Sequence, residues 1–225
     1  MSFDTPTKLA IYRHFAETGQ RPSLQGVAER VRADVSSVRE AYLRLRAQRV
    51  LVLEPDGVSI RMAPPFSGVP TQHVVIVDET NYFANCAWDS FGIPAALHRP
   101  GRVHSRCEQS GEPLSLEIGL EGPPSCSWLF HCLVPAAKWW DDIVFTRSNM
   151  LFFRSEERVR EWCAAHGYPM RPLVTMDQLW TLATTWYSTR LQGDSRRPQP
   201  DEMRAIFAGL GLGGDFWDPQ SDSFG

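Results

Sequence analysis

Over residues 5–63 the apolar positions recur at helical spacing three times and then change to alternation. Leu9, Ile11, Tyr12 and Phe15 mark the inner face of a first helix; Pro6 suits its first turn and Gly19 its end. Ser23 is placed to cap a second helix carrying Leu24, Val27 and Val31, with Glu29 and Arg30 outward. Asp34 or Ser36 is placed to cap a third, with Val38, Tyr42, Leu43 and Leu45 inward. Residues 50–53 and 58–61 then flank Glu54-Pro55-Asp56-Gly57, a hairpin signal. Three helices and a hairpin predict a winged-helix-like domain over residues 1–63.

The prolines of residues 64–71 exclude helix and predict an extended connector, which Phe66 and Val69 should hold against the second domain. Residues 72–218 read as that α+β domain, a mixed sheet of short strands with helices packed on it. Its first strand is 74–78, and the stretch from Asn81 to Pro94 reads as the opening turns of a buried helix. Residues 102–106 and 114–118 alternate about Ser110-Gly111 as a hairpin, and 128–134 reads as a further strand. His131 and Cys132 are adjacent in that strand and so point to opposite faces, which argues against one metal site holding both. Lys138-Trp139-Trp140-Asp141-Asp142 fits a helix end better than a lid or pocket wall. The apolar runs 143–145 and 150–153 bracket Thr146-Arg147-Ser148-Asn149. Ser155 opens an amphipathic helix ending near Gly167. Residues 175–190 form another helix, with Leu179, Leu182, Ala183 and Trp186 as its buried stripe, and 201–210 a last short one. Phe216 and Trp217 should tuck back, and residues 219–225 read as a disordered tail.

Composition narrows the function. The formal charge is -3, so no global basic field recruits nucleic acid. Arg39, Arg44, Arg46 and Arg49, on or near the third helix, are still candidate phosphate contacts. No apolar stretch is long enough for a membrane span, and the start lacks a signal peptide's regions, so a cytoplasmic location is expected. The five cysteines are odd in number and contain no CxxC, which speaks against a disulfide framework and a closed structural zinc site.

The candidate chemistry sits at Cys86 and Asp89. On a helix, positions three apart share a face, so thiol and carboxyl can enter one pocket. A thiol near a helix N-terminus is placed where the thiolate is favoured, the form that attacks electrophiles and binds soft metals. A carboxyl one turn on can carry a proton. The alternative is a buried structural thiol, with Asp89 bonded to backbone or to an arginine.

Three segments carry a resemblance to the organomercurial (alkylmercury) lyases. They are Phe83-Ala84-Asn85-Cys86-Ala87-Trp88-Asp89 with the Phe91-Gly92-Ile93-Pro94-Ala95 behind it, then Gly101 to Cys107 with Gly111 to Leu116, then Asn149 to Ser155 with Trp162. They stand in that family's order and approximate spacing. The resemblance implies an alkylmercury-lyase-like α+β fold, a Cys86 thiolate that takes the metal, and Asp89 as the shuttle of a proton to the leaving carbon. It also implies a second cysteine just before Asn149, where this chain has Arg147 and Ser148. Arg147, Ser148, Asn85 and Trp88 are read as substrate contacts, Arg147 bringing a positive charge that suits an anionic substrate and favours the Cys86 thiolate. Cys107 is either a third soft ligand or a structural thiol. No cofactor is required on this reading, although a soft ion (Hg, Cu or Zn) could bind at Cys86 with Asp89. The expected partner is a small-molecule substrate. The rival readings are a winged-helix regulator that binds DNA and senses a metal or thiol-reactive ligand through Cys86, and a non-catalytic metal-binding remnant.

Overall fold

In the computed structural model, which describes residues 3–223, three helices lead into three small sheets with further helices packed around them. The helices α1 (Asp4–Thr18), α2 (Leu24–Val31) and α3 (Val35–Ala47) start and stop where their local chemistry dictates. Ser23 Oγ accepts the Gly26 N–H at 3.0 Å and Asp34 Oδ1 that of Ser37 at 2.8 Å, satisfying amides that have no partner within the helix. Gly19 closes α1 in the left-handed region at φ 69°. Val27, Val38, Tyr42 and Leu45 are buried as expected, but Leu43 is 47% exposed. It follows Tyr42 directly and is turned about 100° off the buried stripe. Arg44 is engaged by Asp4 at 2.9 Å and Glu40 at 3.8 Å. Arg49 lies over the Trp140 ring, 5.5 Å from its centroid. Two of the four candidate phosphate contacts are therefore occupied within the chain.

The expected hairpin is a three-stranded antiparallel sheet, β1 (Val52–Leu53), β2 (Ile60–Ala63) and β3 (Phe66–Ser67). Its third strand comes from the segment predicted as a plain connector. Phe66 is 1% exposed, stacks on Phe15 at 5.4 Å and tilts against Tyr82 at 5.8 Å. Burying a phenylalanine stabilises by about 1.5–3 kcal/mol, so the connector is held between the helices and the second sheet.

That second sheet has the order β5-β4-β6-β7, from β4 (Val74–Val77), β5 (Thr80–Phe83), β6 (Gly101–Arg106) and β7 (Pro113–Ile118). Asn81, Tyr82 and Phe83, expected to open a helix, instead pair with β4 through a two-residue turn at Asp78-Glu79. Asp78 takes the left-handed conformation this needs (φ 53°). Threonine and aromatic side chains favour the pleated surface, and the helix waits for a cap. It comes at Cys86, and α4 (Ala87–Leu97) is buried at every position from Ala87 to Ala96.

The third sheet, β10-β8-β9, joins β8 (Leu129–Cys132), β9 (Met150–Phe153) and β10 (Leu173–Thr175). Every ladder in the three sheets is antiparallel, which corrects the expectation of a mixed sheet; β4 with β5 and β6 with β7 are joined through short turns, the connection that antiparallel pairing allows. Residues 143–145 prove helical: α5 (Ile143–Ser148) starts at Asp142, whose carboxylate accepts the Phe145 N–H at 2.9 Å. Beyond β9 come α6 (Glu156–His166), α7 (Met176–Tyr187) and α8 (Pro200–Gly209), α6 and α7 capped by Ser155 and Thr175. Phe216 and Trp217 are buried. In the segment expected to be a disordered tail, Gln220 and Ser223 bond Arg204 and Asp215, each at 2.9 Å; Phe224 and Gly225 lie outside the described residues. No helix among the described residues is long and apolar enough to cross a membrane.

Candidate active site

Cys86 is the N-cap of α4. Its backbone is extended and its Sγ accepts the Asp89 N–H at 3.4 Å, where a serine or threonine oxygen would ordinarily serve. Thiol and carboxylate thus come together because one caps the helix and the other stands at its third residue. Both are 0% exposed. Asp89 accepts from three side chains: Tyr187 Oη at 2.5 Å, Asn85 Nδ2 at 2.8 Å and Arg147 Nη1 at 3.2 Å. Asn85 Nδ2 also faces the carbonyls of Pro65 and Phe66 at 3.3 and 3.2 Å, which fixes which end of the amide points inward.

Arg147 is the hub. Its Nη1 lies 3.5 Å from Cys86 Sγ and 3.6 Å from Met150 Sδ, and its guanidinium carbon stands 5.2 Å from the Trp88 ring centroid. Asp142 starts α5, and the helix packs with Arg147 buried. Ser148 is turned away: it is exposed, and its Oγ bonds the Val144 carbonyl at 2.9 Å. The expected Ser148 contact is therefore not formed, because adjacent helical residues point about 100° apart. Trp88 is 1% exposed and packs on Trp139, Trp186 and Tyr187, so it is wall rather than open contact surface.

Burial decides the protonation of the thiol. Loss of solvent, with the Asp89 charge beside it, pushes the Cys86 pKa up to about 12, against the opposing pull of Arg147 and the Asp89 amide. The helix N-terminus and the arginine do not overcome desolvation, and the resting group is a thiol rather than the expected thiolate. Burial disfavours the charge on Arg147 most strongly of any single influence, but Asp89, Tyr187 and Cys86 together outweigh it and hold the guanidinium firmly protonated. Burial and Asp89 drive the Tyr187 hydroxyl well above its usual range, so it remains a donor.

Met150, 3.8 Å from Cys86, is a soft sulfur that the sequence pattern did not single out. Among the described residues no group of three or more His, Cys, Asp and Glu side chains is arranged to hold a metal ion. Cys107 ends β6 and accepts the Arg154 N–H at 3.5 Å; it is a turn thiol in the β6–β7 hairpin. His131 and Cys132 are both fully buried, His131 edge-on to Phe153 and Trp162. Tyr187 was also missed, although it stands four residues after Ala183 on the apolar stripe of α7. A hydroxyl on such a stripe demands a partner, and that signal was available.

Beside this cluster lies a cavity whose wall includes Arg147, Met150 and Tyr187. Trp139 and Trp140 line it as well, so the segment 138–142 does form pocket wall, while Asp141 and Asp142 stay outside. The cavity meets the site through Arg147, Met150 and Tyr187, while Cys86 and Asp89 are not among the residues that line it.

A family model for alkylmercury lyases matches residues 66–188. No curated protein sequence matches the chain. Among solved structures, the mercury-bound form of MerB2 is similar with a TM-score of 0.65 at 20% sequence identity, covering 82% of this chain and 91% of that one. At this identity the structural likeness speaks for the fold, and the family match spans more than half of the sequence. The chain belongs to the alkylmercury lyase family.

Proposed function

We propose that the protein cleaves a carbon–mercury or related carbon–heteroatom bond in a small organic substrate, with Cys86 as the attacking sulfur and Asp89 as the proton carrier. The observation that supports this most is the shared guanidinium: Cys86 Sγ and Asp89 Oδ1 lie 3.5 and 3.2 Å from one Arg147 nitrogen, in a site without water exposure. Displacement of Arg147 toward the cavity opens the path to the thiol. Sulfur then bonds to mercury while the thiol proton passes to Asp89 and the displaced counter-ligand leaves. Asp89 next delivers that proton to carbon; the electron pair of the carbon–mercury bond becomes the new C–H bond. Mercury(II) remains on Cys86, with the Met150 thioether as neighbouring soft donor, until free thiol removes it. Coupling deprotonation to sulfur–metal bonding lets a thiol with so high a pKa react near neutral pH. The five cysteines are all free, in keeping with the reducing cytoplasm proposed as its location.

The test is hydrocarbon release from a simple organomercurial in excess free thiol, measured for wild type, Cys86→Ser and Asp89→Ala, with intact-mass analysis of each protein. Wild type alone should release hydrocarbon. An organomercury adduct on wild-type Cys86 that persists without hydrocarbon release would remove the lyase reading and leave a metal-binding remnant.

A further inference from the structure

The cavity beside the site is lined by four arginines, Arg49, Arg147, Arg190 and Arg197, and no carboxylate shares its wall. Arg147 spends one nitrogen on Asp89, yet its Nε and those of Arg190 and Arg197 are buried without a hydrogen-bond partner. Arg147 and Arg190 are 5% and 7% exposed. Unpaired buried donors are costly, and like charges facing one cavity add repulsion. Burial together with Arg49 and Arg147 pulls the Arg197 pKa down to about 10. The rest of the wall is apolar or aromatic for the most part, with Tyr12, Trp139, Trp140, Trp186 and Tyr187 as its rings. Arg49 and Arg197 lie over Trp140 at 5.5 and 4.7 Å, and Arg190 lies over Tyr187 at 5.2 Å.

We infer that this cavity is an anion-recognition site for a small organic carboxylate or phosphate with a planar apolar body. Guanidinium forks match the two oxygens of either anion, and the aromatic side chains of the wall match a planar apolar body. Arg49, Trp140 and Arg197 line both this cavity and a neighbouring cleft, and Arg49 is exposed, so a ligand enters past these side chains. The cavity has a free volume of about 30 Å³, enough for one or two waters, so a larger ligand requires these side chains to swing aside. An anion bound here would compete with Asp89 for Arg147 and so loosen the contact that covers Cys86. The inference deepens the proposed function by naming its substrate class, and rests on that reading only for the ligand's being a substrate.

Calorimetric titration of the full chain with benzoate, phenyl phosphate, inorganic phosphate and neutral benzamide tests it without mercury. Saturable binding of benzoate or phenyl phosphate is expected, at least tenfold weaker in Arg190→Gln and in the rim variant Arg197→Gln, each checked for native circular dichroism. The stronger of the two ligands identifies the anion. Benzamide binding as well as benzoate, no saturation at millimolar ligand, or unchanged affinity in a folded Arg197→Gln would overturn the inference. Inorganic phosphate binding as tightly as phenyl phosphate would overturn the planar body. Binding without hydrocarbon release from organomercurials would sink the lyase reading alone; release without anion binding would sink this inference alone.

Discussion

Replacing Arg147 with methionine would leave Asp89 charged in a position with no exposure to water. The pair is 3.2 Å apart, with side chains 6% and 0% exposed, so solvent screening that weakens surface ion pairs is absent. Removing one partner of such a pair costs about 3–5 kcal/mol. Tyr187 and Asn85 still donate to the carboxylate, which places the expected loss near the lower end. For a chain of this size that corresponds to a fall in Tm of roughly 6–12 °C, at about 2–4 °C per kcal/mol. Asp89→Asn should cost a similar amount by stranding the guanidinium. The double variant removes both charges and should fall short of the summed losses by at least ~2 kcal/mol. Urea unfolding followed by tryptophan fluorescence gives all four corners of this cycle. Losses below ~1 kcal/mol for each single variant, or additivity within ~0.5 kcal/mol, would refute the claim that the ion pair holds the site together.

Cys86 should resist alkylation at pH 7–9, and its rate, read by peptide mass spectrometry, should still be climbing at pH 10, because its pKa is about 12; a plateau below pH 9 contradicts a buried thiol. Burial and nearby arginines lower the folded pKa values of His73 and His131 to about 3 and about 4. The unfolded chain then binds more protons below pH 6.5, so stability should fall as pH drops from there toward 4, by up to ~1.4 kcal/mol per pH unit for each histidine. His131→Phe, which keeps the ring contacts with Phe153 and Trp162, should flatten that slope in urea titrations at pH 6.5 and 4.5; an unchanged slope argues against a neutral buried His131. A Cβ at Gly92 would stand 2.5 Å from Tyr187 Cδ2. Gly92→Ala should therefore push α7 off α4 and cost about 1–3 kcal/mol, with a change in near-ultraviolet circular dichroism; wild-type stability would show that α7 has room to spare.

Much of the local structure was legible because the groups that decide it are neighbours in the chain. Ser23, Asp34, Ser155 and Thr175 cap helices within three residues of themselves, Gly19 and Gly167 end them, and the β6–β7 hairpin alternates across its turn. The nearness of Cys86 and Asp89 was legible from their three-residue spacing, although that reading set both inside the helix and Cys86 proves to be its cap. Residues 81–83 were misread because their pairing partner, β4, competes with the helix and only the turn at Asp78 resolves the choice. Tertiary structure alone decided the rest. Ser148 and Arg147 are adjacent, yet the way α5 packs sends one to solvent and the other into the core. Tyr187 lies 98 positions from the carboxylate it bonds, and Arg190 and Arg197 reach a cavity shared with Arg49 from the far end of the chain. Sequence spacing cannot report a desolvation: the thiol reads as a thiolate from its helix and its arginine, and becomes a neutral group with a pKa of about 12 only once the surrounding chain has removed the water.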